Sequence, residues 1–102
     1  MSAVTFLMRH KFALEELFSA VRKKPDTQIV EMISREVEDT VWIKASIQVR
    51  DVVDACSILV DLEKSKYIAV EEFEILGKEG YDKVTLIVSF YLALKVIKRE
   101  ED

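Results

Sequence analysis

Hydrophobic residues follow a helical period in two segments of the chain and a strand-like period after each of them. The first helical stripe contains Leu14, Leu17, Phe18 and Val21. A basic turn and a proline, residues 23–25, follow it and predict the end of this helix. A second helix is predicted over about residues 51–64, with two aspartates in its first turn, where the helix dipole favours negative charge. Its apolar arc is wider than one sheet face hides, so we expect this helix to have a further contact.

A β-hairpin is predicted after each helix. Residues 40–49 alternate between apolar and polar side chains, and residues 84–96 do the same. The turn of the second hairpin is Gly77-Lys78-Glu79-Gly80, which contains both glycines of the chain. The alternation fails over residues 70–73, which predicts a β-bulge. An apolar run at residues 4–8 predicts a further strand before the first helix.

Residues 28–38 fit two secondary structures. A helical stripe in this segment would contain Ile29, Val30, Met32, Ile33 and Val37. The corresponding segment of the second unit, residues 67–76, scatters its apolar side chains around the axis when it is wound as a helix. We therefore predict that residues 28–38 form a strand.

The helix–hairpin unit occurs twice. A shift of 41 positions aligns residues 9–31 with 50–72, and a shift of 43 positions aligns residues 39–46 with 82–89. Few aligned residues are identical, but the order of the elements repeats as well, which is harder to obtain by chance.

These elements predict a single α+β domain over residues 1–102, with an internal duplication of about residues 4–49 and 50–97. Two tandem helix–hairpin repeats follow an N-terminal strand, and the first six elements match the ferredoxin-like βαββαβ order. Short connections favour a mainly antiparallel sheet with both helices on one face.

The composition excludes several classes of protein. The chain has 102 residues, 50% of them hydrophobic, with two Gly and one Pro, which suits one compact core and argues against disorder. A single cysteine, Cys56, cannot form an intramolecular disulfide, and together with a single histidine it cannot supply a structural zinc site. No signal peptide is evident, and the most apolar segment is shorter than the roughly 20 residues of a membrane span. We expect a soluble, cytoplasmic protein without a membrane partner, metal or cofactor.

Charge and amide content add to this picture. The net charge of −4 divides into +1 for residues 1–50 and −5 for residues 51–102, so neither half has the basic field of a nucleic-acid-binding protein. Asn is absent and Gln28 and Gln48 are the only glutamines, a depletion typical of hyperthermophile proteins. In length and composition the chain resembles the small orphan proteins of filamentous viruses that infect hyperthermophilic archaea. This resemblance transfers no site; it implies a location in the host cytoplasm. The alternative source is an ordinary prokaryote.

One face of the predicted sheet carries the candidate binding residues. If the helices cover the face with the apolar alternation, the opposite face is open. Its candidate partner-binding residues are Trp42, Lys44, Ile87 and Tyr91. Aromatic anchors beside aliphatic and basic side chains are typical of interface centres, whereas the alternative interpretation is cross-strand packing for stability.

Catalysis is not indicated by the sequence. His10 has no partnered nucleophile in its spacing, and Cys56 lies on the apolar arc of the second helix, where cysteine behaves as a small hydrophobic residue. Glu71, Glu72 and Glu74 are most simply solvated carboxylates rather than a metal site. We therefore predict no enzyme activity.

The sequence thus favours a small protein–protein interaction module. The predicted surfaces are the open sheet face, the groove between the two repeats and a sheet edge, and the partner is a protein, a peptide or a second copy in a homodimer. The alternative function is nucleic-acid binding through Trp42 and Tyr91 on the open face, which the acidic charge disfavours.

Overall fold

The computed structural model describes residues 3–38, 40–77 and 83–92. Its elements, in chain order, are α1 (Ala3–Arg22), β1 (Gln28–Val37), β2 (Thr40–Val49), α2 (Val52–Lys64), β3 (Ile68–Gly77) and β4 (Val84–Leu92). The α+β class, the antiparallel sheet and the alternation of helix and hairpin are therefore confirmed. Residues 78–80 of the glycine turn and the end of the predicted last strand, residues 93–96, lie outside the described residues.

The predicted N-terminal strand is wrong, because residues 4–8 belong to α1. No glycine, proline or other turn-forming residue separates this apolar run from the helix that follows it. Extending an existing helix by one residue adds a hydrogen bond without a new nucleation step, so the run continues the helix. His10 consequently lies inside α1 rather than ahead of it, and it is partly buried.

With that strand absent, the ferredoxin-like order is replaced by αββαββ. The same sequence of elements is obtained when the first strand of βαββαβ is moved to the end of the chain. The strand order is β1-β2-β4-β3, so the last strand, β4, lies between β2 and β3. The α2 connection joins β2 to β3, which run parallel with β4 between them.

Both helices end where the sequence predicts. The Asp51 side chain accepts a hydrogen bond from the Asp54 amide at 2.9 Å, which caps the N-terminus of α2. The C-terminus of α2 is closed by the Ser65 amide, which donates to the Leu62 carbonyl at 3.1 Å. In α1 the amides of Lys23 and Lys24 bond carbonyls of the last turn, and Pro25 follows.

Residues 28–37 form a strand, as predicted, and both edge strands carry a β-bulge. The extra residue is Val30 in β1 and Glu71 in β3, 41 positions apart. The bulge in β3 confirms the prediction from the broken alternation, and the one in β1 explains why its apolar residues imitate a helix. One extra residue shifts the alternation of side chains by one position.

The pairing of β2 with β4 reflects the shift of 43 positions that relates the two helix–hairpin units in the sequence. Ala45 lies opposite Val88, 43 positions further along the chain, and the ladder continues for three pairs on one side of this pair and four on the other. An approximate two-fold axis through Ala45 and Val88 therefore exchanges β2 with β4 and β1 with β3. The origin of this symmetry in a duplication stays a prediction.

The core lies between the sheet and both helices. The helices contribute Ala13, Leu17, Ala20, Val21, Ala55, Ile58, Leu59 and Leu62, and the sheet contributes Val41, Ile43, Ala45, Ile47, Val49, Ile68, Leu86, Val88, Phe90 and Leu92. The inward residues of β2 and β4 are those that the alternation predicts. Phe18 of the predicted helical stripe is instead exposed.

The cap on α2 should contribute measurably to stability. We expect Asp51→Ala to lower the free energy of unfolding by about 1 kcal/mol, because the Asp54 amide loses its acceptor. Asp51→Asn keeps an acceptor oxygen and should cost less in the same urea titration. An equal loss in both variants would instead assign the effect to the ion pair between Asp51 and Arg50, which are 3.7 Å apart.

The β1–β2 turn offers a second stability test. Glu38 has φ 55°, a conformation that glycine adopts without steric cost and other L-residues adopt with strain. We expect Glu38→Gly to raise the free energy of unfolding by about 0.5 kcal/mol, after the entropy of the unfolded glycine is counted. Glu36→Gly, in the neighbouring strand, should lower it, and a loss in both variants would contradict the strain at residue 38.

Candidate functional site

The face of the sheet opposite the core carries a mixed set of side chains. Within the described residues, both helices lie on the core side, and no helix packs against this face. We call it the open face. Its members, by strand, are Glu31, Ile33 and Arg35; Trp42, Lys44, Ser46 and Gln48; Thr85, Ile87, Ser89 and Tyr91; and Glu71, Glu72, Glu74 and Leu76.

One end of the open face is organised around the only tryptophan of the chain. The Arg35 guanidinium lies 4.7 Å from the centroid of the Trp42 ring, in a cation–π contact. On the other side, the Trp42 indole Nε1 donates a hydrogen bond of 2.7 Å to Glu71 Oε2. These three side chains, the indole cluster, come from β1, β2 and β3 and therefore connect the two helix–hairpin units across β4.

The bulge in β3 supplies the carboxylate of this cluster. Glu71 is the extra residue between Val70 and Glu72, and its side chain extends over β4 towards β2. Ser89 lies below it, with its Oγ 3.5 Å from Glu71 Oε2, and is only 3% exposed although it faces outward. The sequence indicated the bulge and the carboxylate separately. The contact with Trp42 depends on the strand order, which no local pattern encodes.

A shallow depression of about 280 Å³ lies beside the indole cluster. Lys44 forms one side, Glu72 and Glu74 form the other, and Ile87 and Ser89 lie between them. Because β2 belongs to the first unit and β4 to the second, this depression follows the seam between the units. We call it the seam groove. It offers an apolar and hydroxyl floor between a cationic and an anionic wall.

The four predicted binding residues lie together on this face. Trp42 is directly opposite Tyr91 in the β2–β4 ladder, and both are partly buried. Lys44 is exposed, Ile87 is partly buried, and both line the seam groove. Their common face is thus an observation, and their role in binding stays a prediction. Arg35 belongs to this site as well, although no pattern in the sequence indicated it as a binding residue.

A second groove crosses the seam on the helix side. It has a volume of about 460 Å³ and is lined by Glu16, Ser19, Ala20, Lys23, Asp61, Lys64, Ser65, Lys66 and Tyr67. Lys23 Nζ and Asp61 Oδ2 are 3.6 Å apart across it, in an ion pair between the turn that follows α1 and helix α2. The lining is strongly polar and lacks the exposed aliphatic floor of the seam groove.

The wide apolar arc of α2 remains partly uncovered. Val53 is 75% exposed and Val60 is 47% exposed, and Cys56 between them is also exposed. α2 contacts α1 as well as the sheet, so the expected further contact is confirmed, but the described residues supply no cover for this exposed part of the helix. It is a smaller and chemically simpler surface than the open face.

The open face carries several carboxylates within the part of the chain that the structure describes. Glu72 and Glu74 share a face, as predicted, but the described residues contain no group of three or more His, Cys, Asp or Glu side chains arranged to hold a metal ion. The charged side chains of the open face comprise four carboxylates and two cations among the described residues. This excess of negative charge repels phosphates and disfavours the alternative of nucleic-acid binding.

Comparison of the chain with protein-family models, curated proteins and solved structures found no match in any of the three. No helix in the described part of the chain is long and apolar enough to span a membrane.

The indole cluster can be tested by fluorescence, because Trp42 is the only tryptophan. We expect Glu71→Ala to shift its emission to longer wavelength, since water replaces the carboxylate at the indole N–H. The free energy of unfolding should fall by roughly 1 kcal/mol, the contribution of a partly exposed hydrogen bond. Glu72→Ala, one residue away on the same face, should leave the emission unchanged. An equal shift in both variants would contradict the bond to Glu71.

Proposed function

We propose that this protein is a non-enzymatic interaction module that binds an extended segment of a partner protein in the seam groove. The observation that carries the proposal is the composition of the groove and its surroundings. An aliphatic floor at Ile87 lies between walls of opposite charge, and the aromatic pair Trp42 and Tyr91 lies on the same face. Aromatic anchors beside such a floor are typical of interface centres.

The proposed ligand has a definite chemistry. An apolar side chain of the peptide would lie on Ile87, acidic groups would face Lys44, and basic groups would face Glu72 and Glu74. The Trp42 N–H is already bonded to Glu71, so the indole would contribute apolar surface rather than a donor. Holding the aromatic side chain in place before binding lowers the entropy cost of association.

The charge of the open face supports a peptide over a nucleic acid. Among the described residues of this face, a polyanion would meet four carboxylates and two cations, whereas a peptide of mixed charge can complement both walls. The absence of a cluster of candidate catalytic groups in the sequence supports a binding role over catalysis. The amide-poor composition supports a heat-adapted source, and we infer a location in the cytoplasm, which is that of the host for a viral chain.

A displayed random-peptide library, selected on the immobilised protein, provides the test. We expect the enriched peptides to contain an apolar residue flanked by charged ones. Lys44→Glu should weaken their binding about tenfold, because it removes a cationic wall and adds like charge beside Glu72 and Glu74. Fluorescence anisotropy with the labelled peptides measures this change.

Lys64→Glu is the matched control. It makes the same charge reversal at an exposed lysine of the helix-side groove and should leave the affinity unchanged. A loss of binding in Lys64→Glu with none in Lys44→Glu would move the site to the helix side. Tight binding of a labelled single-stranded RNA or DNA at physiological salt, sensitive to Lys44→Glu, would replace the proposal with the nucleic-acid function.

A further inference from the structure

The two edge strands of the sheet differ in charge pattern. In the described residues, β1 and β3 each have a neighbouring strand on one side only, so their outer backbone groups are free to pair. β1 carries both signs of charge, whereas the charged residues of β3 are all acidic. This difference determines what each edge can accept.

β1 is an exposed and partly apolar edge. Eight of its ten residues are exposed, and they include Val30 at 53%, Ile33 at 45% and Met32 at 42%. A long, apolar, exposed edge strand readily pairs with another strand. Monomeric proteins usually prevent such pairing with charged residues or by packing a helix or loop over the edge. The bulge at Val30 interrupts the strand only near its start, so residues 31–37 keep a regular ladder.

The charges of β1 are complementary to themselves in one register. When two copies of this strand run antiparallel with Ile33 at the two-fold axis, residue 31 of each lies opposite residue 35 of the other. Glu31 then faces Arg35 twice, on the same side of the sheet as the Ile33 pair. Within the described residues of one chain, Glu31 has no ion-pair partner, and the Arg35 guanidinium contacts only the uncharged Trp42 ring among the interactions on this face.

The edge at β3 has the opposite property. When two copies of β3 run antiparallel with Phe73 at the two-fold axis, Glu72 lies opposite Glu74 twice. The strand contains no basic residue to compensate these charges. Like charges directly opposite each other destabilise a strand pair. Self-pairing is therefore favoured at one edge and opposed at the other, which limits assembly to a closed pair of chains and prevents an open-ended stack.

We propose that a second copy of this chain pairs with β1, antiparallel and edge to edge, to form a homodimer with one continuous eight-stranded sheet. Glu31 binds the partner's Arg35, and Ile33 packs on the partner's Ile33. The dimer places two open faces side by side in one surface. This inference does not depend on the seam groove, because Glu31 and Ile33 lie at the outer edge of the first hairpin.

Sedimentation velocity over a concentration series tests the dimer. One strand pair buries less than a standard interface, so we expect a dissociation constant on the order of 10–100 µM. Glu31→Arg places two Arg pairs at the interface and Arg35→Glu places two Glu pairs there. Each variant alone should dimerise roughly tenfold or more weakly than the wild type.

A mixture of the two single variants gives the decisive result. Glu31→Arg in one chain and Arg35→Glu in the other restore opposite charges at both positions. The mixture should therefore form a heterodimer, and this heterodimer should be tighter than the homodimer of either variant. The double variant Glu31→Arg/Arg35→Glu should also recover the homodimer. Loss of the Arg35 contact with Trp42 cannot produce this pattern, since that contact lies within one chain.

Control variants separate the other surfaces. Phe73→Asp, on the β3 edge, and Val53→Asp, on the exposed side of α2, should leave dimerisation unchanged. A dimer lost only in Val53→Asp would assign the interface to α2, and a wild-type chain that stays monomeric at several hundred micromolar would refute the proposal. Peptide binding measured on the same Glu31→Arg sample should be unchanged, so that failure of the dimer and failure of the seam groove give different results.

Discussion

The pairing of β2 with β4 is the interaction on which the rest of this structure depends. It joins the last strand of each helix–hairpin unit in one ladder of eight residue pairs, which runs from Trp42–Tyr91 to Val49–Val84. An isolated two-stranded hairpin is at best marginally stable in water, and this ladder joins the two hairpins into one four-stranded sheet. Side by side, the two strands provide a continuous buried floor, onto which both helices pack.

The same ladder also determines which side chains lie on the open face. Because side chains alternate along a strand, every buried residue of β2 and β4 has neighbours that point to the open side. The seam between the units therefore passes through the middle of the open face rather than along its margin. Two polar interactions reinforce it from either side of the sheet: the Trp42–Glu71 hydrogen bond on the open side and the Lys23–Asp61 ion pair on the helix side. The groove at this seam takes one wall from each unit, so its two walls can carry opposite charges.

Approximate two-fold symmetry also leaves two equivalent edges, and here the two units differ in charge. Both edges are bulged at corresponding positions, but one keeps a basic residue and the other has three carboxylates. An unprotected edge is a hazard for a sheet protein unless it has a defined partner. The charge pattern thus gives the edges different roles while the backbone remains symmetric, and it links the proposed dimer to the proposed interaction surface through one extended sheet.

The sequence by itself determined the elements that depend on local pattern. The extent of α2, the end of α1, the strands that follow each helix and the bulge in β3 follow from the spacing of apolar and turn-forming residues, and these predictions are confirmed. The open face with Trp42, Lys44, Ile87 and Tyr91 follows from the alternation once the helices are placed on one side. The exception is residues 4–8, where a short apolar run fits a strand and a helix equally well and the absence of a turn decides for the helix.

Only the tertiary structure decided which strands are neighbours. The position of β4 between β2 and β3 brings residues far apart in the chain to one place, such as Trp42 and Glu71, or Lys44 and Glu72. Pairing of strands distant in sequence is selected by the burial of the whole core against the entropy of closing long loops. No local pattern contains that balance. A groove between the two units was expected from the sequence, but the indole cluster and the charged walls of the seam groove follow only from the strand order of the folded chain.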